Sequence, residues 1–126
     1  MADDSNPFSG LTAFVVEDEA IIAFMIEDML HELGATKVVH ASTVPKALAV
    51  LDSAKPDIGI LDVNVAGTSV YGVAEALKAR GVPFAFASGY GRGGLAPEWA
   101  DTPVIQKPFD LDRLRDGLSA CLGRTS

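Results

Sequence analysis

The chain has 126 residues, of which 48% are hydrophobic and 21% are charged, so it is long enough for one globular domain with one modest core. Its formal net charge of −7 argues against a nucleic-acid-binding surface, which would need clustered basic residues rather than ten scattered ones. Cys121 is the single cysteine, which excludes an internal disulfide and a cysteine metal cage and is compatible with a reducing cytoplasm.

No stretch of the sequence has the pattern of a targeting or membrane-spanning segment. Residues 1–10 are acidic and polar and lack the basic start and apolar centre of a signal peptide. No later apolar run approaches the roughly 20 residues that cross a bilayer. We therefore expect a flexible amino-terminal tail over residues 1–10, one domain over residues 11–124, a cytoplasmic location and no membrane partner.

Strand-like apolar runs alternate with segments of helical period along the first half of the chain. The first run stops at Glu17-Asp18, and a helix follows until Gly34 ends it. A second short strand and a second helix come next, and another apolar run stops at Asp62. Near-continuous apolar runs are typical of strands that are buried on both faces, so the charged residues mark the strand ends. The apolar positions of the first helix are Ile22, Met25, Ile26, Met29, Leu30 and Leu33.

The second half of the chain continues the alternation with one exception. A third helix and a fourth strand, which ends at Ser88, precede a segment whose four glycines and one proline leave room for barely two helical turns. This composition predicts a short, mobile fourth helix. The last apolar run stops at Lys107-Pro108, and Asp110 is a candidate N-cap for a final helix. Gly117 in the middle of that helix weakens it by roughly 1 kcal/mol.

The alternation predicts an α/β fold with a doubly wound, five-stranded parallel sheet and helices on both faces, because right-handed crossovers distribute the helices in this way. The carboxyl ends of parallel strands meet at one edge of the sheet. Open sheets of this type bind ligands in the crevice at that edge. The charged residues that end the apolar runs are therefore expected to form one site.

The residues at this edge suit phosphoryl chemistry. Three carboxylates close together repel one another and need a cation, and an all-oxygen acidic site suits Mg²⁺, with Asp18 and Asp62 as direct ligands. Lys107 is a point charge for phosphoryl oxygens, and Ser88 offers a hydroxyl donor. Phosphoryl transfer demands positioning and charge compensation, so the carboxylate of Asp62 can itself accept the group from a reactive donor.

Simpler interpretations exist for each residue taken alone. Acids that follow strands often cap the next helix, and a Lys-Pro pair can be an ordinary turn. Together, the acids, the serine and the lysine at the ends of strands one, three, four and five favour a phosphoryl-transfer site. Gly89, Gly91 and Gly94 match a dinucleotide-binding fingerprint, but no full helix is predicted after them and they are not in the first β/α turn, so we interpret this loop as a hinge.

In order along the chain, these motifs resemble the receiver domain of bacterial two-component response regulators, and the resemblance covers nearly everything after Gly10. It implies a flavodoxin-like (βα)5 fold and phosphorylation of Asp62 by a histidine kinase or a histidine phosphotransfer protein. The motifs that carry it are Glu17-Asp18, Ile60-Leu61-Asp62-Val63-Asn64, Ser88 and Lys107-Pro108-Phe109.

The resemblance also implies a set of contacts. Mg²⁺ would be held by Asp18, Asp62 and the backbone carbonyl of Asn64, with Glu17 reaching it through water. The phosphoryl group would contact Ser88, the backbone amide of Gly89 and Lys107.

One segment looks more narrowly like the single-domain subgroup named for its Phe-Ala-Thr-Gly (FATGUY) motif, here with Ser88 in place of threonine. Many receivers carry an aromatic residue three positions before the lysine, and it swings inward on phosphorylation. Here that position is Val104. We therefore hypothesise that Tyr90, in the glycine-rich loop, or a rearrangement of that loop reports phosphorylation instead, with Ser88 and Tyr90 as the switch candidates.

The resemblance implies a protein that is not an enzyme beyond its own phosphorylation and dephosphorylation. It would switch a downstream protein target or drain a phosphorelay. Two alternatives remain open from the sequence. One is a receiver-like binding module that is not phosphorylated. The other is an aspartate-nucleophile phosphatase, which would need a larger chain and a second acid where this chain has Asn64.

Overall fold

The computed structural model describes residues 8–89 and 95–124, and strands alternate with helices through most of the chain. Among the residues that the structure describes, no helix combines the length and the hydropathy that crossing a bilayer requires. The elements in chain order are β1 (Thr12–Val16), α1 (Ala20–Leu33), β2 (Lys37–Ala41), α2 (Val44–Ala54), β3 (Ile58–Asp62), β4 (Asn64–Val65), β5 (Thr68–Ser69), α3 (Tyr71–Ala79), β6 (Phe84–Ser88), a 3-10 turn (Pro97–Trp99), β7 (Val104–Gln106) and α4 (Leu111–Arg124).

The five longer strands form one parallel sheet in the order β2-β1-β3-β6-β7. The sheet grows first to one side of β1 and then to the other, so right-handed crossovers place helices on both faces. Helices α1 and α4 contact each other on one face, and α2 and α3 contact each other on the other face. The predicted flavodoxin-like, doubly wound α/β fold is confirmed, and its strands end at a common edge.

The sheet separates two apolar cores. Val15 and Ile60 pack under α1 and α4, whereas their chain neighbours Phe14 and Leu61 pack under α2 and α3. All four side chains are at most 1% exposed. Burial of a side chain of this size contributes about 1.5–3 kcal/mol. Each strand is therefore held in the sheet by side chains on both of its faces. This burial on both faces explains why the strands are apolar without alternation.

The connection between β6 and β7 differs from the prediction. Instead of a short α-helix, its described part contains a single 3-10 turn over Pro97–Trp99. Pro97 lacks a backbone N–H and holds the preceding Ala96 in an extended conformation, so helix cannot propagate backwards from the turn. The full helix that a dinucleotide fingerprint requires is absent from residues 95–103, and Gly91 and Gly94 of that fingerprint lie outside the described residues.

A small antiparallel hairpin of β4 and β5 was not predicted. Asn64 pairs with Ser69 and Val65 with Thr68, and the two residues between the strands both adopt positive φ angles, 52° at Ala66 and 81° at Gly67. A two-residue turn of this type is typical of a tight hairpin, and glycine is the residue that adopts it without strain. The hairpin lies directly after Asp62.

Helix α1 carries exposed apolar side chains in addition to those that it buries against the sheet. Its buried residues are Ala23, Ile26 and Leu30, as a helix packed against a sheet requires. Met25, one of the apolar positions that predicted this helix, is 53% exposed, and Ile21 and Phe24 are 77% and 69% exposed.

The packed part of the chain begins before the predicted domain boundary at residue 11. Phe8 is 5% exposed and belongs to the core under α1 and α4, and the backbone N–H of Gly10 donates a hydrogen bond to the carbonyl of Gly34. Residues 1–7 lie outside the described part of the chain.

The ends and the middle of α4 fit its position against β7. The side chain of Asp110 accepts a hydrogen bond of 2.9 Å from the backbone N–H of Arg113, which confirms the predicted N-cap. A Cβ atom added to Gly117 would lie 2.4 Å from Cγ1 of Ile105 and 2.8 Å from its Cδ1. Gly117 therefore allows α4 to pack closely against Ile105 of β7, a packing role that offsets its low helix propensity.

Replacing Gly117 by alanine should destabilise the protein by about 1–3 kcal/mol, because the added methyl group overlaps Ile105. Intrinsic helix propensity alone would predict a gain of about 1 kcal/mol. Gly72→Ala in α3 is the matched control, since nothing lies within 4 Å of its added Cβ and the same propensity gain applies. Urea unfolding measures both changes. A Gly117→Ala protein that is as stable as the Gly72→Ala protein would contradict this account of the packing.

Candidate functional site

Three acidic side chains converge at the carboxyl edge of the sheet, as predicted. Glu17 and Asp18 follow β1, and Asp62 is the last residue of the neighbouring strand β3. One carboxylate oxygen from each of the three lies within 4.8 Å of the others. Glu17 is buried, Asp62 is half-buried and Asp18 is exposed, so the group opens to solvent on one side.

The Lys107 ammonium group lies between two of these acids. Its Nζ is 2.9 Å from Oε1 of Glu17 and 3.4 Å from Oδ2 of Asp62. The lysine reaches this position from the end of β7, where its backbone N–H donates a hydrogen bond of 2.9 Å to the carbonyl of Ser88, and its peptide bond to Pro108 is cis. The structure therefore brings together the charged residues that the sequence placed on three separate strands.

Backbone groups hold the two acids that follow β1. The N–H of Ala66 in the hairpin turn donates to Oδ2 of Asp18 at 3.0 Å, and the N–H of Glu19 donates to Oε2 of Glu17 at 3.1 Å. Nε2 of His40, at the end of β2, lies 2.7 Å from the backbone carbonyl of Glu17. The sequence pattern indicates neither the contact of His40 nor that of Ala66. The glycine after Ala66 was the only sequence signal for a turn there.

Burial and charge shift the pKa values at this edge in different directions. Burial raises the pKa of Glu17, although the hydrogen bond from Lys107 opposes the change. Burial likewise raises the pKa of Asp62, and the charge of Lys107 again opposes it. The hydrogen bond from Ala66 lowers the pKa of Asp18. Burial alone would lower the pKa of Lys107, but its hydrogen bond to Glu17 and the charge of Asp62 together raise it.

The other predicted site residues lie around Asp62. Ser88 is 3% exposed at the end of β6, one residue beyond Ala87, which pairs with Asp62 in the parallel register. Gly89 follows it and is exposed. Asn64 begins the hairpin, and its backbone N–H hydrogen bonds to Asp62. Tyr90, the predicted switch residue, lies outside the described residues.

The donor set fits a hard divalent cation. Three carboxylates whose oxygens approach within 4.8 Å of one another, with one member exposed to solvent, suit an ion that takes a few oxygen ligands and keeps several waters. The raised pKa values of Glu17 and Asp62 show that the folded protein disfavours their ionised forms, and a cation would reverse this. The acidic group can therefore hold Mg²⁺.

The sequence and the fold both match known proteins. The family model described as "Response regulator receiver domain" matches residues 13–119. The solution structure of SdrG from Sphingomonas melonis superposes with a TM-score of 0.80 at 42% identity, and the match covers 90% of this chain and 97% of SdrG. The solution structure of the BeF3-activated conformation of SdrG from Pseudomonas melonis superposes with a TM-score of 0.77 at 43% identity, and the match covers 90% of this chain and 98% of SdrG.

Two longer proteins match over part of their length. The response regulator PhyR from Brucella abortus is 30% identical with a TM-score of 0.77, and the match covers 91% of this chain and 49% of PhyR. The Regulator of RpoS from Escherichia coli K12 is 28% identical over a match 124 residues long, and the match covers 94% of this chain and 36% of that protein. The chain thus spans about a third of the length of the curated relatives that it matches.

Replacing Lys107 by methionine should destabilise the protein by about 3 kcal/mol near neutral pH, because the buried carboxylate of Glu17 loses its cation. Without the lysine, the pKa of Glu17 rises further above its ordinary value of 4.5. The folded protein then binds a proton that the unfolded chain has lost, so stability should recover as the pH falls through this raised pKa towards 4.5. Urea unfolding at several pH values measures the effect.

Two further variants control this experiment. Lys46→Met removes an exposed lysine of α2, and its stability should stay within about 0.5 kcal/mol of the original. The double variant Glu17→Gln with Lys107→Met removes both charges and should be more stable than Lys107→Met alone. If Lys107→Met unfolds at the same urea concentration as Lys46→Met at every pH, the ion pair does not stabilise the fold.

Mg²⁺ should stabilise the folded protein, because the three carboxylates converge only in the fold. At a concentration 100 times its dissociation constant the gain would be about 2.7 kcal/mol. Asp18→Asn should abolish most of this response, while Asp28→Asn, on the exposed side of α1, should retain it. Thermal unfolding with and without Mg²⁺ measures the difference. Equal responses of the two variants would contradict binding at this acidic group.

Proposed function

The chain belongs to the response regulator receiver domain family, and from this membership and the site geometry we propose that Asp62 accepts a phosphoryl group in an Mg²⁺-dependent reaction. The donor would be a histidine kinase or a histidine phosphotransfer protein of a two-component system. The observation that supports the proposal most strongly is the position of Asp62: its carboxylate lies 3.4 Å from the Lys107 ammonium and beside two further acids at the open edge of the sheet.

In the proposed reaction, a carboxylate oxygen of Asp62 attacks phosphorus as the bond between phosphorus and the donor's imidazole nitrogen breaks. The electron pair of that bond stays on the imidazole, which takes a proton from solvent, and Asp62 becomes an acyl phosphate. Asp18, Asp62 and the backbone carbonyl of Asn64 would hold Mg²⁺, and Glu17 would reach the ion through water. When bound, the ion neutralises charge on the phosphoryl oxygens.

Protein groups around Asp62 would stabilise the phosphoryl group. Lys107 has the charge and the reach to contact one phosphoryl oxygen, because it already lies between Glu17 and Asp62. The hydroxyl of Ser88 and the backbone N–H of Gly89 follow the neighbouring strand at the same edge and would donate to other oxygens. Lys107 is already held 3.4 Å from Asp62, so this cation would need little reorganisation as charge develops.

The exposed surface near the site supports a protein as the donor. Ile21 and Phe24 lie in the first two turns of α1, a few residues after Asp18, and are 77% and 69% exposed. A partner that covered these side chains would bury apolar area on the helix that begins two residues after Asp18. Exposed apolar patches of this kind are typical of surfaces that bind other proteins.

We propose that the protein acts as a signalling component and not as an enzyme with an external substrate. Phosphorylation would alter its binding to a downstream protein, or the domain would drain phosphoryl groups from a relay. The likeness to SdrG, whose BeF3-activated conformation has been solved, and to the response regulator PhyR supports this role. The proposed location is the cytoplasm, where histidine kinases act.

Incubation with Mg²⁺ and acetyl phosphate should add about 80 Da to the protein, as expected for an acyl phosphate on Asp62. Asp62→Asn should take up no phosphate, whereas Asp28→Asn should be modified like the original protein. Intact-mass spectrometry measures the adduct, and its loss in mild base identifies an acyl phosphate. A stable adduct, or one that persists in Asp62→Asn, would overturn the proposal. Repeated turnover of phosphate esters would instead favour a phosphatase. The absence of any adduct would favour a binding module that is not phosphorylated.

A further inference from the structure

Four aromatic rings pack together on the α2 and α3 face of the sheet, close to the end of β6. Tyr71, the first residue of α3, stacks on Trp99 with ring centroids 5.9 Å apart and an angle of 16° between the planes. Phe86 of β6 meets both rings edge-on, at 5.9 Å from Tyr71 and 5.7 Å from Trp99. Phe84 completes the group. A displacement of one ring in such a packed group must be taken up by the others.

The Tyr71 hydroxyl ties this group to the segment before β7. It accepts a hydrogen bond of 2.8 Å from the backbone N–H of Ala96, the residue that precedes the 3-10 turn. We call this contact the Tyr71 latch. It links the start of α3, which follows the acceptor strand and its hairpin, to the chain that carries Trp99.

Trp99 is held in a position that leaves one of its polar atoms unsatisfied. The ring is 5% exposed, and its indole N–H has no hydrogen-bond partner among the described residues. Buried donors without a partner are rare because they lose hydration and gain nothing in return. An arrangement in which the indole N–H reaches water or an acceptor would relieve this cost. The stacking on Tyr71 and the Tyr71 latch oppose such a rearrangement of the turn.

The aromatic group lies one strand away from the acceptor. Phe86 and Ser88 point to the same face of β6 because they are two residues apart, and Ala87 between them pairs with Asp62. Val104 pairs with Phe86 in the register with β7, so this position offers a small aliphatic side chain and no ring. Movement of Ser88 towards a phosphoryl group would therefore reach Tyr71 and Trp99 through Phe86.

We propose that the Tyr71 latch holds residues 95–100 in the unphosphorylated arrangement and that phosphorylation of Asp62 releases it through Ser88 and Phe86. The proposal rests on the proposed function, since it requires Asp62 to be the acceptor. In this proposal Tyr71, and not Tyr90 as hypothesised from the sequence, transmits phosphorylation of Asp62 to the rest of the fold. Glu98 and Trp99 of the turn line a surface groove together with Lys78 and Thr102, so release of the turn would reshape a surface available to a partner.

The chain contains a single tryptophan, so the indole N–H of Trp99 gives one nuclear magnetic resonance signal that reports on the turn. Beryllium fluoride with Mg²⁺ serves as the phosphoryl mimic. On its addition, the Trp99 indole signal and the Ala96 amide signal should both move, and the Ala96 amide should exchange with solvent faster as it loses its acceptor. Binding of the mimic itself is followed separately, by the fluorine resonance of the bound group.

Tyr71→Phe removes the hydroxyl and keeps the stacked ring. Without the mimic, its Trp99 and Ala96 signals should lie closer to the activated positions, with the equilibrium shifted about five-fold, the effect of one ordinary hydrogen bond. Ala96→Pro removes the donor instead, at a residue whose φ of −67° suits proline, and should shift the Trp99 signal in the same direction. Ser53→Ala, which removes a hydroxyl that bonds within α2, is the matched control and should leave both signals in place.

The possible outcomes separate the two proposals. If the mimic does not bind and no phosphate adduct forms, the proposed function and the latch fail together. If the mimic binds but the Ala96 and Trp99 signals do not move, the proposed function stands and the latch is overturned. If Tyr71→Phe binds the mimic and its signals match those of the Ser53→Ala control in both states, the hydroxyl has no role. Signals that move with the mimic and are already displaced in Tyr71→Phe support the latch.

Discussion

The carboxyl edge of the sheet depends on one buried charge, the carboxylate of Glu17. This side chain is 1% exposed, and an ion in that position costs several kcal/mol unless it is well compensated. Lys107 at the end of β7 supplies the opposite charge, and the backbone N–H of Glu19 supplies a hydrogen bond. His40 at the end of β2 contacts the carbonyl of the same residue. Strand ends from both sides of β1 are thereby fixed around one group, and Asp62 lies between them.

Much of the fold and of the site could be predicted because both follow from strands that are buried on two faces. Apolar runs that stop at Glu17, Asp62 and Lys107 reveal the strands and their carboxyl ends, and parallel topology then brings these charges together. The contacts made by backbone atoms could not be predicted in this way. The N–H that Ala66 donates to Asp18 has no residue signature, and its position depends on a hairpin of only two residues per strand.

Other departures from the sequence prediction have physical reasons of their own. Met25 fits the helical period of α1, but the sheet below covers only a narrow stripe, so part of the apolar set stays exposed. Over the described residues 95–103, the predicted fourth helix is replaced by a 3-10 turn, because Pro97 prevents a helix from continuing backwards from it. The role of Tyr71 is invisible in the pattern, since it arises from a hydroxyl that meets the backbone 25 residues later. Helical period and strand ends identify elements, whereas contacts across the fold require coordinates.

The segment between β3 and α3 has a fixed length. The backbone N–H of Val70 donates to the carbonyl of Val63 at 3.0 Å, and the N–H of Val63 donates to the carbonyl of Ala87. The first bond closes the hairpin, and the second anchors its start to β6. Surface connections usually tolerate insertions, but one extra residue here would move the Ala66 amide away from Asp18 and rotate the first turn of α3. Among related chains, the number of residues between these two valines should therefore vary less than their identity.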